Sequence, residues 1–212
     1  MAKRTATTAN AILGLLALRD EWSSWELTQQ LRRNMRFFWP RAESQIYNEV
    51  KALVGRGWAR GRQTFVGRRA RTSYTITADG RRALTEWLAT PPKATTLECE
   101  PLLRVFLADF ATPDQLQVAI DQVRADANAI LDVGRVVAAE YLAGTAPFQD
   151  QMHVRALVFD FLSSHALMLR EWADRTEQAT AAWPRAAPRT RERAAKASIE
   201  ATRARYPDEL HM

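Results

Sequence analysis

Arg41, Ser44, Gln45, Asn48 and Lys51 recur at spacings of three and four, so a helix through them would carry all five on one side. Their chemistry suits a polyanion. Gln and Asn amides pair bidentately with an adenine edge, while Arg and Lys reach guanine or phosphate, and a helix of this kind fits the major groove of duplex DNA. Within twenty residues downstream come Arg60, Arg62, Arg68, Arg69 and Arg71. Such a cluster can touch phosphates or enter a minor groove. The plain alternative for the first set is a solvated helix face, but a solvated loop rarely needs five arginines beside it. Glu43 lies on the same turn and would repel phosphate unless it accepts from a cytosine amine.

Other chemistry is sparse. His153, His165 and His211 lack metal-ligand spacing, and His165 falls in an apolar stripe. Gly55-Arg56-Gly57 lacks the preceding strand and following lysine of a phosphate loop. Glu98, Glu100, Asp121 and Asp126 have nothing beside them to raise a pKa. The expectation is therefore no catalytic residue, no metal, no cofactor and no enzyme. Cys99 is the only cysteine, which rules out an internal disulfide. The apolar run Ala11 to Leu18 is too short for a membrane span, so a soluble cytoplasmic protein without membrane contact is expected. Five of the seven tryptophans, Trp22, Trp25, Trp39, Trp58 and Trp87, fall in the first 90 residues. They read as core of a small domain, with Trp22, Trp25 and Trp87 as the alternative lining of an aromatic-ligand slot between domains.

The charge pattern divides the 212 residues into three parts. Residues 1–90 carry +9, residues 91–182 carry −6 and residues 183–212 carry +3. In the first part, Ile12, Leu13, Leu15, Leu16 and Leu18 predict a buried helix, and Ser23-Ser24-Trp25-Glu26 is a capping box that opens a second. Trp39-Pro40 forces a turn, and a third helix restarts near Arg41 or Ala42 with Ile46, Val50 and Leu53 inward. Gly55 and Gly57 end it. Trp58–Val66 and Thr72–Thr77 read as strands joined by a basic tip, Gly67 to Arg71, and Thr77 caps a fourth helix reaching Leu88. This order is that of a winged helix-turn-helix.

Beyond Pro91-Pro92 the pattern is all helical. Leu102 to Phe110 is a short apolar helix, and Thr112-Pro113-Asp114-Gln115 is a strong start signal. From there Leu116, Ile120, Val123, Ala127, Ile130, Gly134, Val137 and Tyr141 keep a heptad rhythm, as in a coiled coil. A last long helix repeats it with Val154, Val158, Phe161, His165, Met168 and Trp172, and is apolar on a second side as well. The expected dimer interface comprises Leu116, Ile120, Val123, Ile130, Val137, Val158, Phe161, His165 and Trp172. The fold class is thus mainly α with a small β-hairpin. Residues 1–90 form an N-terminal winged helix-turn-helix, residues 91–182 an all-α dimerisation domain, and residues 183–212 an Arg/Ala-rich, weakly packed tail.

Phe38-Trp39-Pro40, Ser44-Gln45-Ile46-Tyr47, Leu53 and Gly57, followed by Arg71-Thr72-Ser73-Tyr74-Thr75-Ile76-Thr77-Ala78-Asp79-Gly80-Arg81, Leu84 and Trp87-Leu88, resemble PadR-type bacterial transcriptional regulators. The Ile12-Leu13-Gly14-Leu15-Leu16 start agrees. Leu102-Leu103-Arg104-Val105-Phe106-Leu107-Ala108-Asp109-Phe110 looks like the C-terminal domain of the virulence-activator-alpha subgroup. The resemblance covers roughly residues 8 to 182. It implies a homodimer built through the C-terminal helices, binding to a near-palindromic operator in double-stranded DNA, and repression or activation tuned in many members by a small aromatic or amphipathic ligand. Ser44, Gln45 and Tyr47 match the family's recognition-helix motif, and Arg68, Arg69 and Arg71 fall in its wing. The chain departs from the subgroup at Ala42, where a serine cap is common, and in the tail after Trp183. A reading from another class is a protein-interaction adaptor whose winged fold no longer reads DNA.

Overall fold

A computed structural model describes residues 7–66, 69–183 and 187–206; for Thr64, Val66, Arg69 and Ala70 it describes the backbone alone. The chain divides into two compact units, Met1–Thr96 and Leu97–Met212.

In the first unit, α1 (Thr7–Ala17) buries Ala9, Ile12, Leu13, Leu15 and Leu16 almost completely and contacts every other helix of the unit. A two-residue strand, β1 (Trp22–Ser23), precedes α2 (Ser24–Met35). Ser23 is its N-cap: the Ser23 hydroxyl accepts from the Glu26 backbone N–H, and the Glu26 carboxylate accepts from the Ser23 N–H, as the capping-box pattern predicts. The third helix, α3 (Glu43–Gly55), turns Ile46, Val50 and Leu53 inward. It ends where Gly57 takes φ +74°, with the Trp58 N–H bonding back to the Leu53 carbonyl at 3.0 Å. A Cβ is strained in that left-handed conformation, so the glycine is placed for the turn. Gly55, by contrast, is the last residue of the helix itself.

β2 (Ala59–Val66) and β3 (Arg69–Ile76) form the hairpin, and β1 pairs with the outer edge of β3, giving the order β1-β3-β2. The third strand is a feature the sequence pattern did not suggest. The hairpin is also longer than expected: Arg69 and Arg71 pair with Val66 and Thr64 inside the ladder, not in the turn. Thr77 caps α4 (Ala78–Leu88) through the Gly80 N–H. Gly80 is packed so tightly that a Cβ there would stand 2.1 Å from the Trp58 carbonyl oxygen.

In the second unit, α5 (Glu100–Phe106) continues as a 3₁₀ turn, Ala108–Phe110. Thr112 and Gln115 form the expected capping box at the head of the 30-residue α6 (Pro113–Leu142). α7 (Met152–Thr180) returns antiparallel to it. Arg124 of α6 reaches Asp174 at 3.1 Å and Glu177 at 2.5 Å on α7, and Gln117 adds a bond to Glu177 at 3.1 Å. The core of this helical pair is Leu116, Ile120, Val123 and Ala173, flanked by Val105, Ala108, Leu169 and Trp172. α8 (Pro188–Arg203) has no buried residue.

Candidate nucleic-acid interface

The apolar stripe of α3 fixes what its other side can do. Ile46, Val50 and Leu53 are 2%, 1% and 0% exposed, so their helical complement must face solvent. Ser44, Gln45, Asn48 and Lys51 are all exposed there, and Tyr47 is partly so. Glu43, which would repel a phosphate, is held by Arg32 at 2.7 Å. Ala42 is the N-cap and supplies no side-chain acceptor. Just before it, the Arg41 guanidinium lies 4.2 Å above the Trp39 ring and donates to Thr8 of α1.

Register sorts the wing into two faces. Ala59, Gly61 and Gln63 oppose Ile76, Tyr74 and Thr72, and this is the side that carries the buried Ala59 and Tyr74. Arg60, Arg62 and Arg71 occupy the alternate positions and share the opposite face. All three are exposed. Arg62 lies 3.8 Å from Glu21 and Arg71 lies 2.9 Å from Glu26, so part of the cationic face is tied to the start of α2. Arg68 lies outside the described residues, as does the side chain of Arg69.

Glu26 is the electrostatic centre of this corner. Burial pushes its carboxyl up, but the Ser23 hydroxyl at 2.6 Å, the Ser23 N–H at 2.8 Å and the Arg19 guanidinium at 2.9 Å outweigh it and hold the pKa at about 2. The capping role of Glu26 is legible in Ser-x-x-Glu. Its bond to Arg71, 45 residues away, has no local signal.

The remaining predicted residues separate by burial. Leu116, Ile120 and Val123, expected to meet a partner, are 7%, 0% and 3% exposed because α7 of the same chain covers that side of α6. This corrects their role to protomer core; Trp172 packs against the same cluster. Ile130, Val137 and His165 are half-buried, while Val158 and Phe161 are 40% and 64% exposed. The inward stripe of α7 runs instead through Ala166, Leu169 and Ala173. Of the tryptophans considered as ligand contacts, Trp22 is 1% exposed, in the core of the winged domain, with Arg19 over its ring at 4.1 Å. Trp87 is half-buried and Trp25 is 66% exposed. Among the described residues no group of three or more His, Cys, Asp or Glu is placed to hold a metal ion, and no helix is long and apolar enough to cross a membrane.

Residues 12–86, which include α3 and the hairpin, match the Transcriptional regulator PadR-like family. The Negative transcriptional regulator PadR of Bacillus subtilis is 34% identical over 98 residues, 45% of this chain and 53% of that protein, so the match spans about half of the relative's length. The structure of Bacillus subtilis PadR in complex with operator DNA superposes with a TM-score of 0.69 at 22% identity, over 82% of this chain and 99% of that one. PadR in complex with p-coumaric acid gives 0.62 at 21%, over 83% and 98%. The Vibrio cholerae virulence activator AphA gives 0.59 at 20%, over 80% and 95%. At these identities the structural likeness establishes the fold, a winged helix-turn-helix followed by helices. Residues 12–86, about a third of the chain, are thus similar to the PadR-like transcriptional regulator family.

Proposed function

We propose that this protein is a sequence-specific, DNA-binding transcriptional regulator of the PadR type, acting as a cytoplasmic homodimer. The observation that carries the reading is the bare polar face of α3, Ser44, Gln45, Asn48 and Lys51, presented beside a hairpin whose exposed Arg60, Arg62 and Arg71 share one face. α3 lies in the major groove, where Gln45 and Asn48 read base edges. Arg41, Lys51 and the wing arginines, Arg68 and Arg69 included, hold phosphates. The relative solved with operator DNA supports the same use of the fold.

One winged domain offers few contacts, so two copies bind a near-palindromic operator with half-sites about 34 Å apart. The surface for association is the exposed apolar side of α7, Val154, Leu157, Val158, Phe161 and Met168, with half-buried Ile130, Val137 and His165 as neighbours in the heptad pattern. So much apolar surface on one helix is unusual for a protein that stays monomeric. The acidic character of residues 91–182 keeps this part away from the duplex. A small aromatic or amphipathic effector tunes DNA affinity, in keeping with the p-coumaric acid complex of the relative, and Trp25 and Trp87 are its candidate reporters. The AphA likeness supports placement in the virulence-activator subgroup.

Recovery of bound fragments from genomic DNA tests the reading. The expected result is one enriched motif with two-fold symmetry, bound with an affinity that falls steeply with salt. Sequence-indifferent recovery, or no binding to any duplex at low salt, refutes it. Tryptophan fluorescence titration against a panel of phenolic compounds tests the effector; no quenching by any compound leaves a constitutive regulator.

A further inference from the structure

We propose that Thr8 and Trp39 are positioning residues: together they lock the Arg41 guanidinium in one orientation, ready to take a backbone phosphate of duplex DNA at the leading end of α3. The inference rests on the DNA-binding reading above and adds two residues that touch no DNA themselves.

The geometry is a three-sided clasp. The Arg41 guanidinium carbon lies over the Trp39 ring, 4.2 Å from its centroid, a cation–π contact. From the side, the Thr8 hydroxyl accepts the Arg41 Nε–H at 3.3 Å. The same oxygen accepts the Trp39 Nε1–H at 3.2 Å, which fixes the ring that supports the guanidinium. An Nη1 donor is taken by the Pro40 carbonyl. Thr8 is itself 9% exposed at the start of α1, so the anchor cannot swing. A hydroxyl oxygen has two lone pairs, and both are used.

Among the described residues, two of the five guanidinium N–H groups are used in holding the side chain and three are left over. Arg41 is exposed, so these remain within reach of a partner. An anion with several oxygens is what a planar fork of donors matches best. The place is also apt. Thr8, Arg41, Gln45, Asn48 and Ala52 line one shallow hollow along α3, so the clasped charge stands at the head of the row that carries the two base-reading amides. Glu49 also borders this hollow, with one carboxylate oxygen buried and without a hydrogen-bond partner among the described residues. Its charge disfavours a freely moving phosphate there and leaves the locked Arg41 as the attractive end. Holding a long arginine still before binding removes an ordering cost that the complex would otherwise bear, about 2- to 10-fold in affinity for one such side chain.

The test compares wild type, Thr8→Val, Thr8→Ser, Arg41→Ala and Arg41→Lys in the full chain, measuring binding to operator and to random duplex across a salt series, with thermal melts to confirm folding. Thr8→Val should weaken binding about 2- to 10-fold on both duplexes. Thr8→Ser, which keeps the hydroxyl, should restore it. Arg41→Ala should flatten the logarithmic salt slope by about one unit, one phosphate contact. In the Arg41→Ala background Thr8→Val should have no further effect, a result that a merely structural role for Thr8 would not give. Arg41→Lys, which keeps the charge but loses the stack and the Nε–H bond, should fall to the level of Thr8→Val, and it stands in should Thr8→Val fail to fold. Wild-type affinity for Thr8→Val and Arg41→Lys, or an equal Thr8→Val loss with and without Arg41, overturns the clasp while leaving the DNA reading intact. Absence of salt-dependent duplex binding by wild type overturns the DNA reading instead.

Discussion

Replacing Glu26 with glutamine should destabilise the winged unit at neutral pH and lose its effect in acid. The carboxylate receives the Ser23 hydroxyl, the Ser23 N–H, Arg19 and Arg71, all within 2.9 Å, and its pKa stands at about 2 against an ordinary 4.5. Taken at face value, that lowering is worth a ceiling of about 3 kcal/mol in favour of the folded state. Glu26 is 27% exposed, and Arg19 and Arg71 are 45% and 50% exposed, so solvent screens part of it. About 1–2 kcal/mol is the realistic share at pH 7, to which loss of the capping box contributes. The sign follows from the direction of the shift. A carboxyl whose folded pKa is depressed contributes fully above its unfolded value, and the contribution fades as pH falls from about 4.5 towards 2. Glu26→Gln should therefore melt about 5–10 °C below wild type at pH 7, for a unit of roughly 90 residues. As pH falls from 4 towards 2 the two melting curves should converge. Thermal unfolding followed by far-ultraviolet circular dichroism at a series of pH values measures this. A gap that stays constant down to pH 3, or no gap at pH 7, would show that the carboxylate network does not stabilise the fold.

Gly80→Ala should be among the most damaging single changes, by about 3 kcal/mol or more, because the added methyl meets backbone that cannot rotate away, the Trp58 carbonyl oxygen at 2.1 Å. A urea midpoint near that of wild type would refute it. Asn10→Leu should stabilise the winged unit by about 1–3 kcal/mol, since Asn10 is 1% exposed and neither of its amide atoms has a hydrogen-bond partner among the described residues; a lower midpoint would contradict this. Gln45→Ala or Asn48→Ala should cost about 1–3 kcal/mol on the operator and relax preference at one base, with random duplex unaffected. Equal losses on both duplexes would sink their assignment as readers. Phe161→Asp, at a position 64% exposed in the protomer, should shift sedimentation towards a single chain without loss of helix content, and an unchanged mass at micromolar concentration would remove α7 from the association surface.

What the sequence made legible was whatever short-range chemistry determines. Both capping boxes could be read because Ser23 with Glu26, and Thr112 with Gln115, sit three residues apart and satisfy one another's backbone. β1 could not, since two residues carry no period and the strand exists only because Trp22 and Ser23 meet Tyr74 and Ser73 some fifty residues on. The wing was read too short for a related reason. A run of arginines looks like a loop, yet cross-strand pairing holds Arg69 and Arg71 in the ladder regardless of side-chain polarity.

The long helices show the deeper limit. Spacings of three and four establish that α6 has an apolar side, but burial is a property of whatever comes to cover it, and periodicity cannot say whether that is the same chain or another. Here Ala173, too small to stand out in a hydropathy pattern, lets α7 close over Ile120 and Val123, and Ala166 on the same helix is also fully buried. The bulkier Val158 and Phe161 are left outside. Small residues thus mark the intrachain seam, and the large ones stay exposed. The same reasoning separates Arg41 from the other cations of the first unit. Its charge and its place just ahead of α3 were visible from the sequence, but its fixed orientation comes from Thr8, 33 residues earlier, and only the fold brings the two together.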